Sequence, residues 1–483
     1  MTQIKIINLS AMKTPIKTAL LILTATGAIS TASADDSSRW LLDSIPQQWN
    51  YKSAYTQKLP SDDDWWKTFG DPTLDSLINM AEKENYNLSA ALARIEMAKK
   101  TLDAAKSAYF PTINLSAGWT KGQSSGASGP VVAKSSPYDY FSLGAAMQWE
   151  VDLFGRITQN VKANKAAYNA TKAEYDGTMV ALAANVAKAY INLRTYQSEM
   201  EVAQSHLKEQ EKVLALVEAR FKAGLASMLE VTQSRTVVSS TKASIPALEA
   251  MIESSINSIG LLIAKYPEEI HAWLSQPTPV PDVIYGANLG CPADLLRRRP
   301  DIVEAEYQLA QYAAQVGIAK KDFLPTLSIN GSIGTQAHEA KNLFGEHSMY
   351  WEISPTLSWT LFDGLARNYR TAEAKAQLEA AVDTYNYTVM NAVIEVYNAT
   401  TAFQSSMKTI TLTDDVIKDS KESLDLAIER YKKGLSPFNN VVDAQISYLT
   451  NQDSQITARG KALTAVVNLY EALGGGWNTT ATE

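Results

Sequence analysis

Residues 351–361 read WEISPTLSWTL, a pattern that few folds can hold. Trp351, Ile353, Pro355, Leu357, Trp359 and Leu361 alternate with Glu352, Ser354, Thr356, Ser358 and Thr360. A strand points successive side chains to opposite faces, so this segment is a ribbon with one apolar and one polar side. Two settings accept such a ribbon: a half-buried strand of a soluble sheet, and a tilted strand crossing a bilayer, which takes about nine to eleven residues. Aromatic residues near both ends match the two interfacial girdles of a membrane barrel. The same alternation recurs at about 112–120, 139–151 and 326–334.

The beginning of the chain bears on which setting applies. Lys13 and Lys17 precede an apolar run, 19–29, followed by Ala32-Ser33-Ala34. A basic region, a short hydrophobic region and an A-x-A site are the parts of a secretory signal, so 1–34 is predicted to be a signal peptide, with Met12 an alternative start. No later stretch has the roughly 18 uninterrupted apolar residues of a transmembrane helix. An exported chain of this kind is soluble or a β-barrel. The formal net charge is −7 with the charges interspersed, which argues against a nucleic-acid partner. The single cysteine, Cys291, has no partner for an intramolecular disulfide and reads as a small buried residue.

An internal duplication organises the rest. Residues 35–72 read as an extended N-terminal segment. The first repeat, 73–265, holds the strands at 112–120 and 139–151 and long helices at about 155–223 and 228–265. A linker, 266–290, precedes the second repeat, 291–473, with strands at 326–334 and 351–361 and long helices at about 365–433 and 437–473. Residues 474–483 form a tail. RYKKGLSPFNNVVDAQ from Arg430 answers RFKAGLASMLEVTQSR from Arg220. In the first long helix apolar residues from Leu182 through Val186, Leu193, Met200 and Val217 to Phe221 keep a 4-3 spacing; in the second, Val396, Phe403, Ile410, Ile417, Leu424 and Tyr431 are each one heptad apart. Sustained heptads predict coiled-coil packing of helices on the order of 100 Å long. Four strands cannot close a barrel, since the smallest bacterial barrels have about eight, and an open edge in lipid leaves backbone groups unpaired. Strands in a membrane therefore require further copies of the chain. Two copies would give eight strands and a filled interior; three would give twelve and room for a lumen, which the polar faces favour.

The residues WWKTFGDPTLDSLI (65–78), LRRRPDIVEAEYQL (296–309), FLPTLSINGS (323–332) and GLSPFNNVVDAQISYL (434–449) resemble those of TolC-like outer-membrane factors, nearest the branch that serves resistance-nodulation-division (RND) efflux pumps. The resemblance spans essentially the whole chain after the signal. It implies a mixed α and β membrane protein: a homotrimeric 12-stranded outer-membrane β-barrel, four strands per chain, continued by a long periplasmic α-helical barrel. It also implies a passive exit duct for drugs and other small toxic compounds, docked to a periplasmic adaptor (membrane-fusion) protein and an inner-membrane RND pump. The exit channel of a type I protein-secretion system or of a metal-ion efflux system is the alternative. Many members of the branch carry a lipobox cysteine after the signal; Ala34-Asp35 offers none, so no lipid anchor is expected.

No catalytic constellation, cofactor motif or metal-ligand spacing stands out. His206, His271, His338 and His347 read as isolated surface positions. The candidate functional residues lie where the helices turn. Gly224-Leu225 and Gly434-Leu435 end the two long helices, and the resemblance makes these hairpin tips the periplasmic end and the adaptor contact. Asp443 matches the acidic gate position of the family's VVDAQ segment; three copies would form a carboxylate ring that favours cations and resists closure unless paired. Asn440 stands where some relatives are acidic and Ile446 where some carry arginine, so Glu230 and Arg235 on the other tip are candidates to replace that pairing. On the strands, Glu150 and Glu352 are expected to face the lumen.

Overall fold

The computed structural model describes residues 62–123, 125, 137–281 and 299–475. The expected signal peptide, the N-terminus without a lipid anchor, Cys291 and the tail beyond 475 lie outside these residues. The chain divides into two compact units, one formed by the described residues of 94–171 and 304–385, the other by those of 62–93, 172–303 and 386–475.

The first unit carries a four-stranded sheet of β1 (Thr112–Gln123), β2 (Pro137–Val151), β3 (Thr326–Ala337) and β4 (Met349–Ser358), in the order β1-β2-β3-β4. All three pairings are antiparallel. The registers assign every side chain to a face. One transverse row runs Asn114–Ala146–Ser332–Glu352; the neighbouring row runs Leu115–Ala145–Ile333–Trp351. The polar and apolar faces predicted strand by strand thus belong to single continuous surfaces. Leu115 is 78% exposed and Trp351 70%, so the apolar face is uncovered in the single chain.

The strand ends differ from the sequence reading. β4 stops at Ser358 rather than Leu361, because its partner β3 starts at Thr326 after Pro325, which has no N–H to extend the ladder. Trp359 turns away, its indole N–H donating to the Phe323 carbonyl at 3.0 Å. β1 and β2 run longer than expected, pairing as far as Gln123↔Pro137.

The helices are α1 (Pro72–Glu84), α2 (Tyr86–Ser107), α3 (Arg156–Lys222), α4 (Met228–Leu262), α5 (Pro267–Leu274), α6 (Pro300–Lys321), α7 (Ala366–Lys432) and α8 (Asn439–Ala472). The duplication appears in their lengths: α3 and α7 each have 67 residues and α2 and α6 each have 22. α4 ends at Leu262 instead of 265, because Ala264 takes a left-handed φ of 54° and the Asn85 side chain caps the Leu262 carbonyl at 2.7 Å. None of the described helices is long and apolar enough to cross a membrane.

The core of the second unit explains why the N-terminal segment is not extended throughout. Residues Asp62–Phe69 form a 3₁₀ turn whose Trp65 and Trp66 are buried with Leu74, Leu77 and Ile78 of α1. Trp65 stacks on Tyr470 of α8, ring centres 5.2 Å apart. Asp71 caps α1, accepting from the Thr73 N–H at 2.8 Å, and its other oxygen accepts from the Tyr190 hydroxyl. The heptad seam of α3 is broader than predicted here: Ala183, Ala184, Ala187, Tyr190 and Ile191 are all buried along with Val186 and Leu193. At the far end of α3 the seam shifts to Val213 and Val217, leaving Phe221 exposed. Arg299, in the LRRRPDI segment, is buried and ties three elements together. It donates to the Ala472 carbonyl at 2.8 Å, to both oxygens of Asp301 at 3.0 and 2.7 Å, and pairs with Glu395 at 2.7 Å.

Candidate gate at the helix hairpin tips

The two long helices end in the same way, for the same reason. The Leu225 N–H reaches back to the Arg220 carbonyl at 2.8 Å and the Gly224 N–H to Phe221 at 2.9 Å; Leu435 to Arg430 and Gly434 to Tyr431 repeat this at 2.9 Å each. These are Schellman turns, which require a left-handed residue after the helix. Gly224 and Gly434 supply it, with φ of 75° and 72°. Leu225 and Leu435 then stand out from the tips, 66% and 67% exposed. Ser227 starts α4 with a capping box closed by Glu230.

The tips meet each other within the second unit. Val213, Val217 and Val231 of the first hairpin pack with Tyr431, Phe438 and Val441 of the second. The Tyr431 ring lies 5.1 Å from that of Phe438 and 4.9 Å from the Arg220 guanidinium, and its hydroxyl donates to Glu230 Oε2 at 2.6 Å. Arg220 also donates to the Lys432 carbonyl at 3.0 Å. Burial, and then the Glu230 carboxylate beside it, push the Tyr431 hydroxyl up to about 12 from its ordinary value near 10. The hydroxyl therefore remains a proton donor across the physiological range.

The structure rearranges the expected gate residues. Glu230 and Arg235 do not pair with each other; Glu230 serves the cap and Tyr431, while Arg235 donates to Glu218 at 3.1 Å. Five positions apart on a helix, their side chains point about 140° away from one another. Asn440 donates to Ser436 at 2.8 Å, and Asp443 is exposed on α8 with no hydrogen bond or ion pair among the described residues. Neither makes a hydrogen bond to Glu230 among the described residues. Arg220, Tyr431 and Glu218 were not among the candidate gate residues.

On the sheet, Glu150 and Glu352 share the polar face but differ in state. Arg156 at the start of α3 grips Glu150 with contacts of 2.8, 2.9 and 3.1 Å. Glu352 has no hydrogen bond or ion pair among the described residues. His206 corrects the histidine reading: it is buried, with its ring 5.0 Å from that of Tyr448 and a hydrogen bond to Gln452. His271 pairs with Glu253 at 2.9 Å and His338 with the Asp139 carbonyl at 2.6 Å. No group of three or more potential ligands among the described residues is placed to hold a metal ion.

The outer membrane efflux protein family matches residues 77–264 and 291–475. The pyoverdine export outer membrane protein OpmQ of Pseudomonas aeruginosa is 29% identical over 442 residues, which is 90% of this chain and 92% of that protein. The solvent efflux pump outer membrane protein SrpC of Pseudomonas putida is 29% identical over 85% of this chain and 87% of its own. Among solved structures, the outer-membrane channel OprN superposes with a TM-score of 0.82 at 30% identity, covering 89% of this chain and 99% of that one. VceC, an outer membrane protein of Vibrio cholerae, gives 0.80 at 26% identity, with 87% and 100% covered.

Proposed function

The chain belongs to the outer membrane efflux protein family, and on that premise we propose that three copies form one duct that carries small toxic compounds through the outer membrane for an RND-type pump. The observation that carries this reading is the sheet: among the described residues it has four strands, one continuous apolar face left bare, one continuous polar face, and two outer strands with unpaired edges. In lipid each unpaired backbone group costs several kcal/mol, so β1 and β4 need partners. If β1 of one copy pairs with β4 of the next, three sheets of four strands close a barrel of twelve, wide enough for a water-filled lumen. The bare apolar face then meets outer-membrane lipid, and Glu352 faces the lumen.

The helix hairpins supply the gated end. The Tyr431–Glu230 hydrogen bond and the Arg220 contacts hold the two tips of one chain together. Asp443, exposed and without a partner among the described residues, becomes one member of a three-fold carboxylate ring at the constriction. The exposed Leu225 and Leu435 serve as contacts for a periplasmic adaptor that links the duct to an inner-membrane pump. The chain does no chemistry in this scheme; the pump sets the export step and the duct supplies the path. Purified protein reconstituted in a planar bilayer tests the proposal: a long-lived, cation-preferring conductance is expected from a three-chain particle, and particles that insert without conducting overturn it.

A further inference from the structure

The polar face of the sheet contains an unusual combination at one level. Gly144 of β2, Gly334 of β3 and Tyr350 of β4 are direct neighbours in register. A Cβ at Gly334 would lie 2.9 Å from the Tyr350 hydroxyl, and one at Gly144 would lie 3.0 Å from the same oxygen. Strands are about 4.8 Å apart, so an oxygen that meets both positions has crossed the neighbouring strand. The Tyr350 ring is therefore laid across β3, not raised from the sheet. It stays 41% exposed, with an aromatic face turned to the space above the polar surface. The pattern repeats on the first hairpin, where the Tyr138 hydroxyl would meet a Cβ at Gly122 at 2.6 Å, in register across β1 and β2.

Two residues along, at Ser332↔Glu352, the same face carries a carboxylate with no hydrogen bond or ion pair among the described residues. Only Trp351 separates it from Tyr350 along β4, an offset of roughly 7 Å of rise. An aromatic face next to an unneutralised carboxylate attracts a flat ring that carries positive charge: the ring stacks, and the charge is drawn both to the π-system and to the carboxylate. We propose that Tyr350, seated on Gly144 and Gly334 and flanked by Glu352, is a transit site for planar aromatic cations on the lumen wall. The site rests on the reading of the polar face as the lumen surface. The two glycines serve it twice, by letting the ring lie flat and by leaving β2 and β3 without a side chain at that level, where the row continues only to the small Ser116 of β1. The competing explanation is structural: a tyrosine across a cross-strand glycine also shields the sheet backbone. The test must therefore read ligand contact and assembly separately.

Single-channel recordings of the reconstituted full-length protein with ethidium, and with tetraethylammonium as a cation without rings, make that separation. Ethidium is expected to interrupt the current in discrete blocks. Tyr350→Leu should shorten those blocks roughly three- to tenfold, the factor one aromatic contact carries, and shorten tetraethylammonium blocks less, because that ion keeps a cation–π attraction but cannot stack. Tyr350→Phe should keep them, and Glu352→Gln should weaken both cations. Tyr350→Val is read in parallel, so that failed assembly of one variant still leaves a decisive measurement. Ethidium blocks of equal length in the parent and in Tyr350→Leu or Tyr350→Val overturn the proposal, including where the variant only melts earlier. A parent protein that does not conduct overturns the lumen reading and the transit site with it; a conducting parent insensitive to ethidium overturns the transit site alone.

Discussion

Tyr431→Phe removes one oxygen from the contact that joins the hairpin tips and leaves the ring, its Phe438 neighbour and the Arg220 stack in place. A hydrogen bond to a charged group contributes about 1.5–3 kcal/mol. Glu230 is half-buried, so water can replace the lost donor, which sets the expected loss at the lower end, about 1.5 kcal/mol. That is roughly a tenfold shift toward separated tips in one chain, and up to about a thousandfold if three chains must release together. The assay is open probability in planar bilayers, with vancomycin entry into cells carrying the same variants as a second readout. Glu230→Gln weakens the same bond, so the double variant should open no further than the stronger single one. The pH dependence follows from the raised hydroxyl. The neutral form of Tyr431 is the one favoured in the folded tips, so its contribution is complete below pH 10 and lost as pH climbs toward 12. The parent should gain an opening step in that window that Tyr431→Phe lacks. Unchanged open probability in Tyr431→Phe, or fully additive effects of the two substitutions, would refute this account of the tips.

Leu357→Arg places a charge on the apolar face and should cost roughly 2–4 kcal/mol if that face lies near the bilayer midplane, measured as the urea concentration that unfolds the protein in lipid, while Thr356→Arg on the polar face should be tolerated. Arg299→Ala leaves the Ala472 carbonyl and two carboxylates without their shared cation; Asp301 and Glu395 keep solvent contact, so about 3 kcal/mol, the low end for a broken buried pair, is expected in chemical denaturation. Gly434→Ala forces a side chain into a left-handed turn in open space, a strain of about 1–2 kcal/mol without a clash, and should lower the melting temperature while leaving conductance intact. Asp443→Ala should reduce the preference for cations over anions in reversal-potential measurements.

The sheet was legible because alternation along each strand leaves one arrangement of faces, and the registers then align those faces across all four strands. The strand ends were less so. Trp359 and Leu361 continue the alternation, yet Pro325, just before a different strand, ends the ladder that would have paired them. Trp65 and Trp66 entered the reading only through the resemblance and inside a segment read as extended, although two adjacent tryptophans before the Asp71-Pro72 helix start are a packing signal. Gly224 and Gly434 announced the tips, because few residues besides glycine accept a Schellman turn. What joins the tips left no local trace. Tyr431 occupies a heptad position and read as core, and its partner Glu230 is 201 residues away in the chain. Aligning RFKAGL with RYKKGL holds the missing clue, since Phe221 faces Tyr431 in the duplication and only the second has a hydroxyl to offer.

The most direct test of the central claim reads the two open edges of the sheet. In a chain carrying Cys291→Ser, single cysteines are placed in pairs, one along β1 and one along β4, and the protein is oxidised in outer membranes before denaturing electrophoresis. The account predicts that some pairs cross-link between copies and that the ladder ends at three chains. A ladder that ends at two, that continues past three, or that never forms at any register along the two strands would contradict it.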